Sequence, residues 1–280
     1  MADFLPHIVH YQADDGVQLG ARVWSPPQPI GQVVLLHGII SHGGWYEPTC
    51  SALAERGWEV HMLDRRGSGL NPVSRGDVDQ WFTWIRDVEG YLANLPASHP
   101  RVLVGISWGG KLAVSVARMH PQLVNGLVLI SPGLYALRGA NSWQQVALKL
   151  AARTTLHKRR VTIPLEDPAL FTASPEWQQY IQVDPLTLRK ITVRFAREDL
   201  RLTQKAIEMP WQVHCPLLLA LAGKDSIIDV HRVRQFIQDV AGSQLTVLDY
   251  PEATHTFEFD PVQETYNHEL GMWFDQRVES

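Results

Sequence analysis

Gly105-Ile106-Ser107-Trp108-Gly109 sets a serine between two glycines at the spacing of a nucleophile elbow, a tight turn that lifts a hydroxyl clear of a strand end. At average composition a chain of this length meets that pattern by chance about one time in ten, so the flanking residues carry the argument. The apolar run Val102 to Gly105 leads straight into the serine, and a helical stretch begins within two residues. Such a turn forces the serine into a strained backbone, and glycines at 105 and 109 remove the Cβ atoms that would collide there. The plainer alternative is a helix N-cap serine with flexible neighbours.

A serine hydroxyl is a poor nucleophile at neutral pH; it needs a base within hydrogen-bond reach, and the base needs an orienting acid. Behind an elbow of this kind the order along the chain is Ser, then Asp or Glu, then His. Six histidines follow Ser107: His120, His157, His214, His231, His255 and His268. Only His255, inside Tyr250-Pro251-Glu252-Ala253-Thr254-His255-Thr256-Phe257, falls in a loop just past a late strand. His214 precedes its strand and so falls at the opposite edge of the sheet, while His231 and His268 fit helix faces. Active groups on open α/β sheets gather at the carboxyl ends of strands, and Asp225 comes three residues after the end of the run Leu217 to Ala222. Asp229 fits a cap on the next helix. Asp249 also ends a strand, but only six residues separate it from His255. Two backbone amides should then face the charge that develops on the attacked carbonyl oxygen, each worth roughly 3 kcal/mol of barrier. Trp108 N–H is one and Ile39 N–H, in the loop after an early strand, is the other. Gly38 lets that loop approach closely, although a turn glycine ending a strand would read the same way. This chemistry requires no metal or organic cofactor, and His37 and His42 match a zinc pair in residue type alone.

The elements that must hold these groups follow a strand-helix rhythm. Val17 to Trp24 is strand-like, Gln32 to Leu36 is a continuous apolar run of the kind buried on both faces, residues 44–56 suit a helix, and Trp58 to Leu63 is another strand. Trp81, Ile85, Val88, Leu92 and Leu95 share one helix face. Strand 101–104, helix 109–120 and strand 126–130 follow. Between Leu134 and Pro210 the rhythm stops: helical patterns such as Trp143, Val146 and Leu150 are interrupted by Pro164, Pro168, Pro175 and Pro185. Strand 216–222, helix 230–240, strand 244–248 and a terminal helix from about residue 261 complete the pattern. The expected architecture is an α/β core, residues 1–133 and 211–280, with a helical insertion at 134–210.

Composition agrees with a folded core and narrows the function. Apolar residues make up 45% and charged residues 19% of the 280, enough buriable surface to exclude a disordered chain. The net charge of −4 lacks the basic excess of nucleic-acid binding. Residues 134–210 carry 12 Lys and Arg against 7 Asp and Glu, so the insertion is net positive inside an acidic whole. Its run His157-Lys158-Arg159-Arg160 fits a solvated face, or attraction to an anionic interface or substrate. Two cysteines, Cys50 and Cys215, are too few for a disulfide framework. No leader pattern and no long apolar stretch occur, so a cytoplasmic protein without an integral membrane segment is expected.

Taken together, His37-Gly38 with His42 and Trp45-Tyr46, Asp64-Arg65-Arg66-Gly67-Ser68-Gly69, Gly105 to Gly110, Gly223-Lys224-Asp225-Ser226-Ile227-Ile228-Asp229, and His255 resemble the α/β-hydrolase superfamily, in particular its monoacylglycerol lipase and lysophospholipase branch. The resemblance covers nearly the whole chain outside the insertion. It implies that residues 134–210 form a cap governing access and acyl fit, that the substrate is a small-molecule ester, and that contact with a lipid interface is transient. Ile40-Ser41 replaces an acidic residue often found before the second histidine of the loop, and Trp108 stands where that branch often has Met. The Ser-Trp-Gly sequence also resembles proline iminopeptidases. Those carry a Pro in the oxyanion loop, absent here, and use cap carboxylates to hold the substrate amine, a task for which Glu166, Glu176 and Glu198 are available. The expected activity is hydrolysis of small to medium acyl esters through an acyl-enzyme on Ser107. A peptidase of the iminopeptidase kind, or a ligand-binding protein that keeps the pocket without turnover, are the alternatives.

Overall fold

A computed structural model of the chain describes residues 5–138, 150–152 and 154–278. Ten strands are described: β1 (His7–Gln12), β2 (Gln18–Trp24), β3 (Gly31–Leu36), β4 (Trp58–Leu63), β5 (Arg101–Ile106), β6 (Gly126–Ile130), β7 (Arg160–Thr162), β8 (Lys190–Thr192), β9 (Leu217–Ala222) and β10 (Leu245–Tyr250). Eight of them form one sheet in the order β1-β2-β4-β3-β5-β6-β9-β10. β1 and β2 run antiparallel to their neighbours, and every pairing from β4 to β10 is parallel. Parallel strands need helical crossovers on both faces, which explains why β3, β5, β6 and β9 are buried along their whole length.

The described helices are α1 (Glu47–Glu55), α2 (Trp81–Asn94), α3 (Trp108–Met119), α4 (Pro175–Val183), α5 (Val193–Ala206), α6 (Val230–Ala241) and α7 (Gln263–Val278). α1 packs on α7, and α2 on α3, which in turn meets α5. Trp24, Trp58 and Trp84 are among the largest fully buried side chains, with Trp58 edge-on to Phe274 at 5.0 Å between ring centres. Aromatic rings of this size dominate the burial energy of a core.

Three differences from the sequence reading have local causes. The N-terminal edge strand β1 escapes detection because Val9 and Tyr11 on one face are only half-buried, and the apolar Ile8 lies on the exposed face with His10 and Gln12, which breaks the apolar alternation. The single helix expected at 44–56 is a 3₁₀ turn, Gly43–Tyr46, followed by α1, with Pro48 in its first turn where no N–H is needed. The segment 134–210, expected to be helical, holds α4 and α5 but also the antiparallel ribbon β7–β8, whose three-residue strands are too short to leave a period in the sequence. The helical pattern through Trp143 and Val146 lies outside the described residues. Among the described residues no helix is long and apolar enough to cross a membrane.

Candidate active site

Ser107 stands at the junction of β5 and α3 with φ 52° and ψ −118°, a left-handed conformation costing on the order of 1–3 kcal/mol for a residue with a Cβ. The turn is held by its own amides: Ser107 N donates to Ile130 O at 2.9 Å, and Gly110 N and Gly133 N donate to Ser107 O at 2.9 and 2.6 Å. Gly109 is required by close approach, since a Cβ there would fall 2.0 Å from Leu36 O. A Cβ on Gly105 would fall 2.6 Å from Gly110 Cα. Both flanking glycines therefore let α3 press against β3 and β5.

The loop after β10 brings His255 over the serine, with Nε2 2.8 Å from Ser107 Oγ and Nδ1 2.6 Å from Asp225 Oδ2. The Asp225 side chain is fully buried, which pushes its carboxyl pKa up. The opposing pull of His255 and of the Ile227 and Ile228 amides, donating to Oδ1 at 2.8 and 3.2 Å, wins and holds it below the usual carboxylate range. An ionised Asp225 accepting from Nδ1–H leaves Nε2 free to take a proton from the hydroxyl. The competing acids are committed elsewhere. Asp229 caps α6 through Arg232 N, and Asp249 pairs with Arg234. His231 and His268 lie on α6 and α7, His120 pairs with Glu89, and His214 precedes β9.

The loop after β3 faces this trio. Gly38, Ile39, Ile40, Trp45, Tyr46, Ile106 and Phe171 line the cleft beside Ser107 and His255, which encloses about 10 Å³, room for about one water. Among the described residues, neither the Ile39 nor the Trp108 amide donates a hydrogen bond to a protein acceptor, so both are available to a ligand atom. The Trp108 ring is absent from the cleft lining. It is buried, donates from Nε1 to Asp199 Oδ1 at 2.6 Å and stands edge-on to Trp84.

Several residues that brace the site went unseen in the sequence. Asp184, just past α4, receives hydrogen bonds on Oδ2 from Trp45 Nε1, His42 Nε2 and Thr187 Oγ1, each at 2.9 Å. His42 Nδ1 accepts from Gly44 N, so Nε2 carries the proton. Burial raises the Asp184 pKa, but the His42 and Trp45 bonds outweigh it and hold the carboxyl well below its usual range. The Leu188 amide donates to Ile40 O, and the Phe171 carbonyl accepts from Thr256 N and Thr254 Oγ1. No sequence signal marks Asp184, because its partners in the loop after β3, His42 and Trp45, lie more than a hundred residues away. Asp64, within the quoted Asp-Arg-Arg motif, accepts from Gly43 N, Leu70 N and Arg22. The three carboxylates considered for binding an amine do not converge on the cleft. Glu198 is buried and paired with Arg197 and Arg201, while Glu166 and Glu176 are exposed.

The strand order, the serine-bearing turn after β5 and the histidine loop after β10 define an α/β-hydrolase. The family model described as Hydrolase_4, serine aminopeptidase S33, matches residues 27–262, and the chain belongs to that family. It is 28% identical over 265 residues to a monoacylglycerol lipase of Mycolicibacterium smegmatis, covering 92% of this chain and 93% of the relative. It is 27% identical over 284 residues to the human monoglyceride lipase, covering 98% and 91%. In fold it is similar to the crystal structure of the Paleococcus ferrophilus monoacylglycerol lipase, with a TM-score of 0.83 at 23% identity over 93% of this chain and 98% of the other.

Proposed function

We propose that this protein is a serine hydrolase of carboxylic esters, with Ser107 as nucleophile, His255 as general base and acid, Asp225 as the orienting carboxylate, and the Ile39 and Trp108 amides as the oxyanion hole. The observation that carries the reading is the continuous Ser107–His255–Asp225 hydrogen-bond chain, drawn from three separate loops at the carboxyl ends of β5, β9 and β10. His255 Nε2 takes the Ser107 proton as Oγ bonds to the ester carbonyl carbon, and the carbonyl electrons move onto oxygen, facing the two amides. When the electrons return, the alkoxide leaves and receives the proton from His255, and an acyl-serine remains. Water, deprotonated by His255, then attacks the acyl carbon; collapse releases the acid and restores Ser107.

Ile39, Ile40, Trp45 and Phe171 match an acyl chain in apolar character, and such a chain must widen the cleft to enter it. With the names of the relatives, this lining favours small to medium acyl esters, monoacylglycerols among them. Residues 134–210 act as the cap in this proposal, with 1–133 and 211–280 as the core. Amine-directed peptide cleavage is disfavoured because Glu198 is consumed by arginines and Glu166 and Glu176 face solvent. Unpaired Cys50 and Cys215 suit a reducing cytoplasmic setting.

The test is turnover of p-nitrophenyl esters of graded chain length and of a monoacylglycerol, with Ser107→Ala alongside. Loss of such a serine should lower kcat on the order of a millionfold. Undiminished hydrolysis by the variant would overturn the proposal.

A further inference from the structure

Arg65 opens the turn after β4, and its guanidinium is buried beneath the loop that carries Ile39. Nη1 donates to Gly38 O at 3.1 Å and Nη2 to Ile39 O at 2.8 Å. His37 reinforces the first of these contacts. Its Nε2 accepts from Arg65 N at 2.9 Å, so its proton resides on Nδ1, which donates to Gly38 O at 2.7 Å. The Gly38–Ile39 peptide is trans, and in a trans peptide the carbonyl and the following N–H point in opposite directions. Two donors gripping Gly38 O therefore aim Ile39 N–H away from Arg65. Gly38 itself lies against the nucleophile, since a Cβ there would stand 3.4 Å from Ser107 Cβ. Hydrogen bonding to a carbonyl also polarises its peptide and strengthens the N–H as a donor.

The same guanidinium lies over the Trp108 ring, 4.5 Å from its centre, and Trp108 carries the other free amide. Burial lowers the Arg65 pKa to about 10, with Asp199 opposing the drop, so the group remains charged at neutral pH. A charge removed from water is costly, and an apolar side chain could fill this space without that penalty. The contacts thus touch both halves of one arrangement. We propose that Arg65 is a positioning residue of the oxyanion hole, fixing the Gly38–Ile39 peptide and bracing Trp108 so that both amides converge on the oxygen that becomes negative. The inference rests on the serine hydrolase reading given above.

The experiment compares Arg65→Met and Arg65→Lys with the unaltered enzyme in kcat, KM and affinity for an alkyl trifluoromethyl ketone, which forms a hemiketal oxyanion on the serine. A fluorophosphonate end-point titration counts competent sites. For Arg65→Met, kcat per titrated site should fall about 100-fold, in the range for loss of one oxyanion donor, with KM within about threefold and ketone affinity falling in parallel with kcat/KM. Lysine can reach one carbonyl and should recover part of the loss; if the methionine variant does not fold, the same parallel fall in Arg65→Lys carries the test. Unchanged kcat and ketone affinity per titrated site, or a loss explained wholly by fewer competent sites, would overturn the inference. Activity in Ser107→Ala would instead defeat the underlying serine reading, so the two failures are distinguishable.

Discussion

Glu258, three residues beyond His255, is an acid whose chemistry is at odds with its surroundings. It is 4% exposed, and burial pushes its carboxyl pKa up to about 7, against a Thr49 hydrogen bond that lowers it. Thr49 Oγ1 lies 2.8 Å from Glu258 Oε1 and 2.9 Å from Asn267 Oδ1, and one hydroxyl proton cannot serve two acceptors. A protonated Glu258 resolves the conflict by donating to Thr49, which then donates to Asn267. Because the folded pKa is raised, the stabilisation is complete below about 4.5 and is lost as pH rises through about 7. Glu258→Gln should therefore gain stability relative to the parent, on the order of 3 kcal/mol between pH 4.5 and 8, measured by urea unfolding at each pH. Parallel pH profiles for the two proteins would show that the acid is ionised in the fold.

Among the elements, the join between α4 and the loop after β3 carries a specific load. Removing the Asp184 carboxylate leaves His42, Trp45 and Thr187 with buried donors and no acceptor, each costing roughly 1–3 kcal/mol and not additively. Asp184→Ala should lose about 3 kcal/mol of stability and lower kcat/KM about tenfold or more, because Trp45 lines the cleft. A urea midpoint and a kcat/KM both unchanged would contradict this role. The elements themselves were legible where burial leaves a strong period. β3, β5, β6 and β9 appear as unbroken apolar runs, and the α2 face appears in the spacing of Trp81, Ile85 and Val88. The ribbon β7–β8 was hidden because each strand is three residues long and is fixed by its partner. The elbow pattern, chain order and position at the carboxyl ends of strands together singled out Ser107, Asp225 and His255, which the fold brings within hydrogen-bond reach. Asp184 was invisible for the opposite reason, since nothing local distinguishes it from any other loop aspartate.

At the scale of the whole molecule, two buried titratable groups set opposing slopes on stability. Burial, aided by the positive charge of Arg65 and opposed by Asp64, lowers His37 from 6.5 to about 3. A depressed histidine contributes stability that is complete above 6.5 and is lost as pH falls toward 3. Glu258 contributes the reverse slope between about 4.5 and 7, so the two cancel between about 4.5 and 6.5 and leave a plateau. His37→Gln should tilt that plateau downward with rising pH, and Glu258→Gln should tilt it upward. Unfolding free energies at half-unit pH steps decide the matter; two variants with the same slope would sink the account. The double contact of the Phe171 carbonyl with Thr254 and Thr256 has a wider consequence. One peptide oxygen, that of Phe171, clasps the turn that carries the imidazole, so any shift of Phe171 must either drag Thr254 and Thr256 along or give up both bonds.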